Sequence, residues 1–531
     1  MTKGGGPAAR EPAAPPSEGP SRGVIAATAF FALASWGLSL SWPVIHDLPI
    51  LLYEGFLVAE AGLVPYRDFF EFNPPGTVLL FSWLHQATGG AQPAIRLVDF
   101  LVLAAIVAAT CSALSRFGAR AGIFAGASFT AAYLATGPLN NLQREFLCVL
   151  PLALSIALVF RAAAGGKEWL VCGLSAGLVF TVKPPLAICW LPLLVHAVRR
   201  ARGGGGGWSS YLRPPAFFAG GALPPLVLVL LWLDRNAALA PYLEIVREYY
   251  PLYTQLGFDG VLYTGSMADL FERYVGKTLA VAAKPLAFPA ILGVAAALAS
   301  KEGKERSTGT GGENGLAAQA AALGGVAVCA LAYVPIGGKF WLYHQIPFFY
   351  AISLCAALLV GGKVAPPGGW RGRQVWLLAA ALAACLPYGE FAGHFRQWRS
   401  GMAAENVRLQ VLPMADYLRG QATAADSVLP LDTAAGAAHA LYLARRPLYG
   451  RFLYDFHFYH HQESSYLAGL RRLFLDQFAG GRPSLIVSCR SWRPSVKGEA
   501  PVPFRELDEL LAADYREELR AGDCRVLRRR N

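Results

Sequence analysis

The sequence predicts a mainly α-helical, polytopic membrane protein of about eleven spans, followed by a small extracytoplasmic α/β domain. Three observations carry this. Apolar runs of bilayer-crossing length recur along the first 390 of the 531 residues. The chain is 54% hydrophobic and only 15% charged, with mean hydropathy +0.38, whereas a soluble chain of this size carries more charge and shorter apolar runs. The Lys and Arg side chains also cluster in short segments between the runs. The formal charge of +12 would suit a nucleic-acid partner, but this distribution assigns it to membrane topology, so no nucleic acid is expected.

Taken in order, residues 1–22 are rich in Gly, Pro, Ala and Ser and read as a disordered cytoplasmic N-terminus. The polar lead is too long for a signal peptide. Residues 23–392 form the transmembrane part, with a first span at 23–43 and a first outer loop at 44–92. Within that loop, 50–61 reads as a short amphipathic helix. Residues 76–86 read as an interfacial helix anchored by Trp83. Further spans are expected at 94–115, 121–137, 145–162, 168–182, 185–198, 214–233, 277–299, 316–336, 341–362 and 374–390. Lys183-Pro184-Pro185 reads as a turn between two short spans, because Pro stops a helix and restricts the residue before it. A single kinked helix is the alternative, and it would reverse every later span.

Charge tests that parity. With a turn at Lys183, one side receives Arg116, Arg120, Arg161, Lys167, Arg199, Arg200, Arg202, Arg213, Lys301, Lys304, Arg306, Lys363, Arg371 and Arg373. That side is cytoplasmic by the positive-inside rule. Gly-rich 203–207 and 307–312 then read as flexible cytoplasmic linkers. The opposite side receives the first loop, the Asn140–Arg144 turn, the 234–276 loop, Lys339 and the C-terminal tail. Residues 393–531 alternate helix-like runs (405–418, 504–520) with strand-like runs (427–431, 484–488, 525–527), the pattern of a small α/β domain. Of nine cysteines, only Cys489 and Cys524 fall in this polar tail; in an oxidising compartment they could pair, though spacing alone does not show it. Adjacent His460 and His461 point differently on any regular element and make a poor ligand pair.

The stretch 46–76 concentrates the chemistry. It holds five acids, Asp47, Glu54, Glu60, Asp68 and Glu71, between membrane segments. Asp47 reads either as the N-cap of the following helix, with Pro49 at an early helical position, or as a general base; a cap leaves lone pairs unused, so both can hold. Glu54 lies seven residues on, two helical turns away. The two carboxylates therefore share a face, as acid/base chemistry or a cation site requires, unless Glu54 is a solvated surface residue. Tyr66-Arg67-Asp68 and Asn73-Pro74-Pro75 frame a stiff loop, in which Arg67 and Asp68 either serve the site or simply pair. Asp68 and Glu71 are assigned to shaping this loop. No role is assigned to Glu60.

Cations converge on the same side. Arg144, in Gln143-Arg144-Glu145, opposes the positive-inside trend. Lys183 and Lys339 also fall there, with Tyr343 and His344 nearby. Together they would make a phosphate pocket, since a guanidinium matches phosphate oxygens as a fork. Each alone is an interface anchor. Tyr242, Tyr249, Tyr250, Tyr253 and Tyr263 crowd the 234–276 loop, as belt residues or as stacking surfaces.

These residues resemble the GT-C membrane glycosyltransferases, most closely the bacterial group related to family 39 and to the aminoarabinose and mannosyl transferases. The resemblance rests on His46-Asp47, Tyr53, Gly62, Pro65-Tyr66-Arg67-Asp68-Phe69 and Asn73-Pro74-Pro75-Gly76, with Gln143-Arg144-Glu145, Lys183-Pro184-Pro185 and Tyr343-His344 at similar places. It implies transfer of a sugar from a polyprenyl-phosphate donor to a lipid, glycan or protein acceptor, outside the bacterial cytoplasmic membrane. It implies Asp47 as the catalytic position, with Glu54 a helper. It implies donor contacts from His46, Tyr53, Tyr66, Arg67, Asp68, Arg144, Lys183, Lys339, Tyr343 and His344. Many relatives have an adjacent Asp-Glu pair and a Tyr four residues after the Asp. Here the pair is His46-Asp47 and Tyr53 is six residues on, so a second carboxylate and a divalent cation stay open.

The chemistry agrees without the family. A phosphate leaving group needs its charge stabilised, and a nucleophile needs a base; one displacement would invert the anomeric carbon. A transporter or flippase of a lipid-linked sugar is the main rival. It requires charges within the spans and repeated halves, and the sequence shows few such charges and no clear repeat. A ligase of lipid-linked glycans shares the donor class. A non-enzymatic scaffold leaves the stiff acidic loop without a role.

Overall fold

A computed structural model describes residues 22–160, 165–203, 208–257, 261–262, 267–284, 286–299, 314–361, 405–421, 427–432, 434–489, 494–496 and 502–530. Helices dominate. The membrane part runs α1 (Arg22–Ser39), α2 (Asp47–Ala59), α3 (Pro75–Thr88), α4 (Gln92–Ala113), α5 (Ala119–Ala135), α6 (Arg144–Phe160), α7 (Gly166–Val182), α8 (Leu191–Gly203) and α9 (Trp208–Arg235). It continues through short helices α10 (Leu239–Glu244), α11 (Tyr250–Gln255), α12 (Met267–Leu270) and α13 (Lys277–Ala282) to α14 (Ala287–Ala299), α15 (Asn314–Ile336) and α16 (Ile346–Ala357).

The apolar runs do become helices, and the expected boundaries hold to within a few residues for α3 to α7 and α15. Three differences are physical. Among the described residues only Gln92–Ala113, Tyr211–Arg235 and Gly315–Ile336 are long and apolar enough to cross a bilayer. Helices α5, α6 and α7 have 17 residues each, about 26 Å at 1.5 Å per residue, slightly short of a hydrocarbon core of about 30 Å. The eleven-span count is therefore not reached by length alone. The expected span 277–299 is broken at Ala283–Leu286 into α13 and α14. The expected span 374–390 and the N-terminal segment 1–21 lie outside the described residues. The 234–276 stretch is not a plain loop: it contains α10, a π-helical turn Ile245–Tyr249, α11 and α12.

The Lys183 turn is present. Helix α7 ends at Val182, a 3₁₀ segment Pro184–Trp190 follows, and α8 starts at Leu191. Two prolines at the start of the segment remove the donors that a continued α-helix needs.

Helix α2 departs from expectation more sharply. Residues Leu48 to Leu57 are all buried, so it is not an amphipathic surface helix. One face packs on α3 and another is covered by helix Ala437–Leu443 of the C-terminal part. In helix α3 Trp83 is 66% exposed, whereas Pro75 to Val78, Phe81, Ser82, Leu84 and His85 are buried.

The C-terminal part carries a four-stranded sheet in the order β2 (Val428–Leu431), β3 (Leu485–Cys489), β6 (Cys524–Arg529), β5 (Tyr515–Ala521). A separate two-stranded ladder pairs β1 (Val261–Leu262) with β4 (Ser495–Val496). Strands β2 and β3 are parallel; β6 is antiparallel to both β3 and β5. The helix expected over 504–520 stops at Asp514, and Tyr515–Ala521 is strand. Glu, Arg and Leu favour helix locally, but pairing along β6 overrides that weak preference.

Cys489 and Cys524 are partners in the β3–β6 register and form a disulfide. It closes a loop of 35 residues, which in the chain-entropy account stabilises by about 3–4 kcal/mol. The double variant Cys489→Ser/Cys524→Ser is expected to make the C-terminal part cleavable by protease at lower temperature, by pulse proteolysis of the purified protein. Unchanged cleavage would show that the sheet does not need the bond.

Candidate active site

Asp47 is the first residue of α2. The capping position belongs to His46, which has φ 63° and makes no side-chain cap. The N-cap reading of Asp47 is thereby replaced. Its carboxylate meets His46 Nδ1 at 3.0 Å, and an acid in the first turn also suits the helix dipole. A non-glycine residue in the left-handed region is strained by about 1–3 kcal/mol, a cost met mostly at functional sites. Tyr66, Leu142 and Phe340, in loops around the same end of the bundle, share this conformation.

A cavity of about 220 Å³ opens beside Asp47. Its polar lining is His46, Asp47, Asn73 and Arg144. Its aromatic walls are Phe72, Tyr253, Trp341, Tyr343, Tyr454 and Phe456. Arg144 opens α6, is 7% exposed, and donates to Asn73 Oδ1. Burial works against the charge of the Asp47 carboxylate. The charge and hydrogen bond of His46 outweigh it, with Arg144 and Tyr343 adding to the effect, and hold its pKa at about 2. His46 is raised in turn, chiefly by the charge of Asp47. Asp47 is thus ionised at neutral pH.

The stiff loop holds Asn73 in place. The Asn73 N–H donates to Glu71 Oε1 at 2.5 Å, and Tyr66 Oη donates to Asn73 O at 2.5 Å. Pro74 and Pro75 then lead into α3. Gly76 is needed there by close approach, because a Cβ would lie 2.3 Å from Thr181 Oγ1. Thr77 Oγ1 donates to Val182 O at 2.9 Å, which joins α3 to the Lys183 turn.

Several expected site residues lie elsewhere. Glu54 is fully buried and does not line the cavity with Asp47. Its Oε1 accepts from Tyr454 Oη at 2.7 Å. Burial, then the neighbouring Glu71, pushes its pKa well up, so the two acids make one buried carboxyl pair. The seven-residue spacing from Asp47 is real, but C-terminal residues cover the helix and separate the environments. Tyr53 is buried, with its hydroxyl on Arg446 O at 2.9 Å. Tyr66 packs inside the loop. Arg67 and Asp68 pair through two contacts, 2.8 and 2.7 Å, and Asp68 also accepts from the Val64 N–H; this is the simple pairing already weighed.

The three cations do not all line the cavity. Lys183 Nζ sits 2.9 Å from Glu145 Oε1. His344 Nε2 lies 3.3 Å from the same oxygen. Lys339 Nζ donates to Tyr253 O and Leu256 O, both at 2.7 Å, and stacks on the Tyr253 ring. Of the three, Arg144 alone lines the cavity. No three His, Cys, Asp or Glu side chains come together as a metal site among the described residues.

Sequence reasoning missed the far wall. Ala434, Tyr454 and Phe456 come from the C-terminal part. Phe72, Trp341 and Tyr253 were either unassigned or left undecided. A signal existed: residues 452–461 read FLYDFHFYHH, a density of aromatic and His side chains unusual for a solvated tail. The first loop and this segment are bound together. Phe70 N donates to Arg451 O at 2.6 Å, Arg451 Nη2 donates to Tyr66 O at 2.8 Å, and Arg445 pairs with Glu60 at 2.6 Å. Glu60, without a role in the sequence, is therefore a docking residue, shared with His85 Nε2 at 2.8 Å.

A family model described as dolichyl-phosphate-mannose-protein mannosyltransferase matches residues 73–232. No curated protein sequence matches the chain at a significant level. Two crystal structures of ArnT from Cupriavidus metallidurans share the fold. The one bound to undecaprenyl phosphate has a TM-score of 0.57 at 14% identity, covering 96% of this chain and 98% of that one. The apo state has a TM-score of 0.58 at 14% identity, covering 95% and 97%. The chain therefore has the fold of the GT-C membrane glycosyltransferases, the fold that its first loop resembles.

Proposed function

We propose that the chain is an inverting glycosyltransferase. It moves a sugar from a polyprenyl-phosphate donor to an acceptor at the outer face of the bacterial cytoplasmic membrane. The observation that carries this reading is the meeting of Asp47 and Arg144, 97 positions apart by residue number, in one aromatic-walled cavity. A carboxylate and a guanidinium on one cavity supply the two functions the reaction needs. ArnT, whose fold is shared, binds undecaprenyl phosphate, which supports a lipid-phosphate donor. The disulfide supports an oxidising, extracytoplasmic compartment for the C-terminal part.

Arg144 takes the donor phosphate, and the aromatic walls hold sugar and lipid. The acceptor nucleophile attacks the anomeric carbon as the carbon–oxygen bond to phosphate breaks. The electron pair leaves with polyprenyl phosphate, and the acceptor proton passes to Asp47. A carboxylate with a pKa of about 2 is a weak base, and general-base catalysis favours a pKa nearer the working pH. Bound phosphate offsets part of this. It neutralises Arg144, one of the charges that depress Asp47, and so raises the basicity of the carboxylate only when donor is in place.

Asp47→Asn, inserted normally in the membrane, is expected to lower transfer by about 10²–10⁴-fold, read as release of free polyprenyl phosphate from radiolabelled donor. Full activity would remove Asp47 from the reaction. Arg144→Ala is expected to raise the donor KM by about ten- to hundred-fold, the worth of a charged hydrogen bond, with a smaller effect on the acceptor KM. Equal effects would count against the phosphate role. In the pH profile of kcat/KM, the depressed pKa of Asp47 places the acid limb below the usual carboxylate range. His46→Gln removes the largest charge that depresses it, so the limb should move up toward about pH 4.

A further inference from the structure

A second cavity lies at the other end of the bundle. Its volume is about 690 Å³, within the range of about 300–1,000 Å³ typical of ligand pockets. Helix α8 from Leu191 to Arg200, the N-terminal half of α15 and the turn after α4 enclose it. Helix α4 starts beside the first loop, where Gln92 Nε2 donates to Trp42 O, and ends at this cavity. Helix α15 starts here and ends beside Trp341 and Tyr343.

The lining changes character along the helices. At the deep end α8 presents Leu191, Pro192 and Val195, and α15 presents Ala321, Ala322 and Gly325. The helices touch there: a Cβ on Gly325 would lie 2.8 Å from Pro192 Cβ. Leu191 and Val195 are 58% and 41% exposed, so the groove opens sideways along an apolar edge. One to two turns further on come His196, Arg199 and Arg200, with Arg116 from the turn after α4. Arg116 Nη1 stands 3.6 Å from the Cβ position of Gly315, in the first turn of α15. That helix end adds partial positive charge. Among the described residues neither Arg116 nor Arg199 has an ion-pair partner.

One buried group points to a ligand independently. Gln319 is 1% exposed and lines the cavity. Its Nε2 donates to Phe160 O at 3.1 Å, which fixes the amide. Its Oε1 is buried without a partner among the described residues. A buried acceptor with no donor is destabilising, and a ligand hydroxyl satisfies it.

We propose that this cavity is a binding site for an anionic glycerophospholipid whose headgroup carries hydroxyls. The phosphate sits between Arg116 and Arg199, a headgroup hydroxyl donates to Gln319 Oε1, and an acyl chain lies along Leu191, Val195 and Ala322. The site is separate from the Asp47 cavity and does not depend on the reading of that cavity. Three features select this occupant: the basic end, the sideways apolar opening, and an acceptor that needs a neutral donor.

The test uses the full-length protein purified in neutral detergent. Phosphatidylglycerol, phosphatidic acid, phosphatidylcholine, inorganic phosphate and glycerol phosphate are added separately, with bound mass read by native mass spectrometry and Tm by thermal shift. Phosphatidylglycerol is expected to bind and raise Tm. Arg116→Ala/Arg199→Ala should weaken its apparent affinity by about tenfold or more, and Arg116→Lys/Arg199→Lys should retain much of it. Gln319→Leu should weaken phosphatidylglycerol more than phosphatidic acid, which lacks the headgroup hydroxyls. Equal binding of phosphatidylcholine, or full binding by the double alanine variant, would overturn the proposal. Equal shifts from glycerol phosphate or inorganic phosphate would overturn the lipid assignment in favour of a soluble anion.

Discussion

Glu145 is the carboxylate on which the cavity end of the bundle depends. It is fully buried, and three segments reach it. Lys183 comes from the turn after α7, Tyr333 donates from α15 at 2.8 Å, and His344 comes from the 3₁₀ turn before α16. Glu145 itself stands in the first turn of α6, one residue after Arg144. Removing one partner of a buried ion pair strands the other charge at about 3–5 kcal/mol. The knot thus fixes where α6 begins, and with it the direction of the Arg144 guanidinium.

A second constraint acts from above. The first loop lies between the bundle and the C-terminal part, and both sides hold it. The Thr77–Val182 and Gly76–Thr181 contacts tie it below, while Arg445, Arg451 and Tyr454 tie it above. The buried Glu54–Glu71 pair sits at the centre of this sandwich. It joins α2 to the residues just before Asn73, and Asn73 in turn holds Arg144. Acids that looked alike in sequence are therefore divided: Asp47 faces the cavity, Glu54 and Glu71 brace it, and Glu60 and Asp68 lock its edges.

Much of the fold was legible because apolar runs and prolines act locally. The helices, the Lys183 turn and strands β2, β3 and β6 follow from patterns a few residues long. Asp47, Arg144 and Tyr343 were legible because charge and aromatic groups at the end of a span are costly without a use. Lys183 and Lys339 misled for a related reason. Each is a cation in the expected region, but each is satisfied by a partner distant in sequence, Glu145 or the Tyr253 and Leu256 carbonyls. Tyr454 and Phe456 were illegible as cavity walls because the contact spans about 400 residues by number. The end of the helix at Asp514 escaped because strand pairing with β6 is not a local property.

The far wall of the cavity has a consequence in the order of synthesis. Asp47 leaves the ribosome early, and Arg144 follows about a hundred residues later. Ala434, Tyr454 and Phe456 follow about three hundred residues after Arg144. Until they dock, α2 lies bare on one face and the cavity has no roof. A chain made only as far as Arg144 lacks the far wall of the cavity.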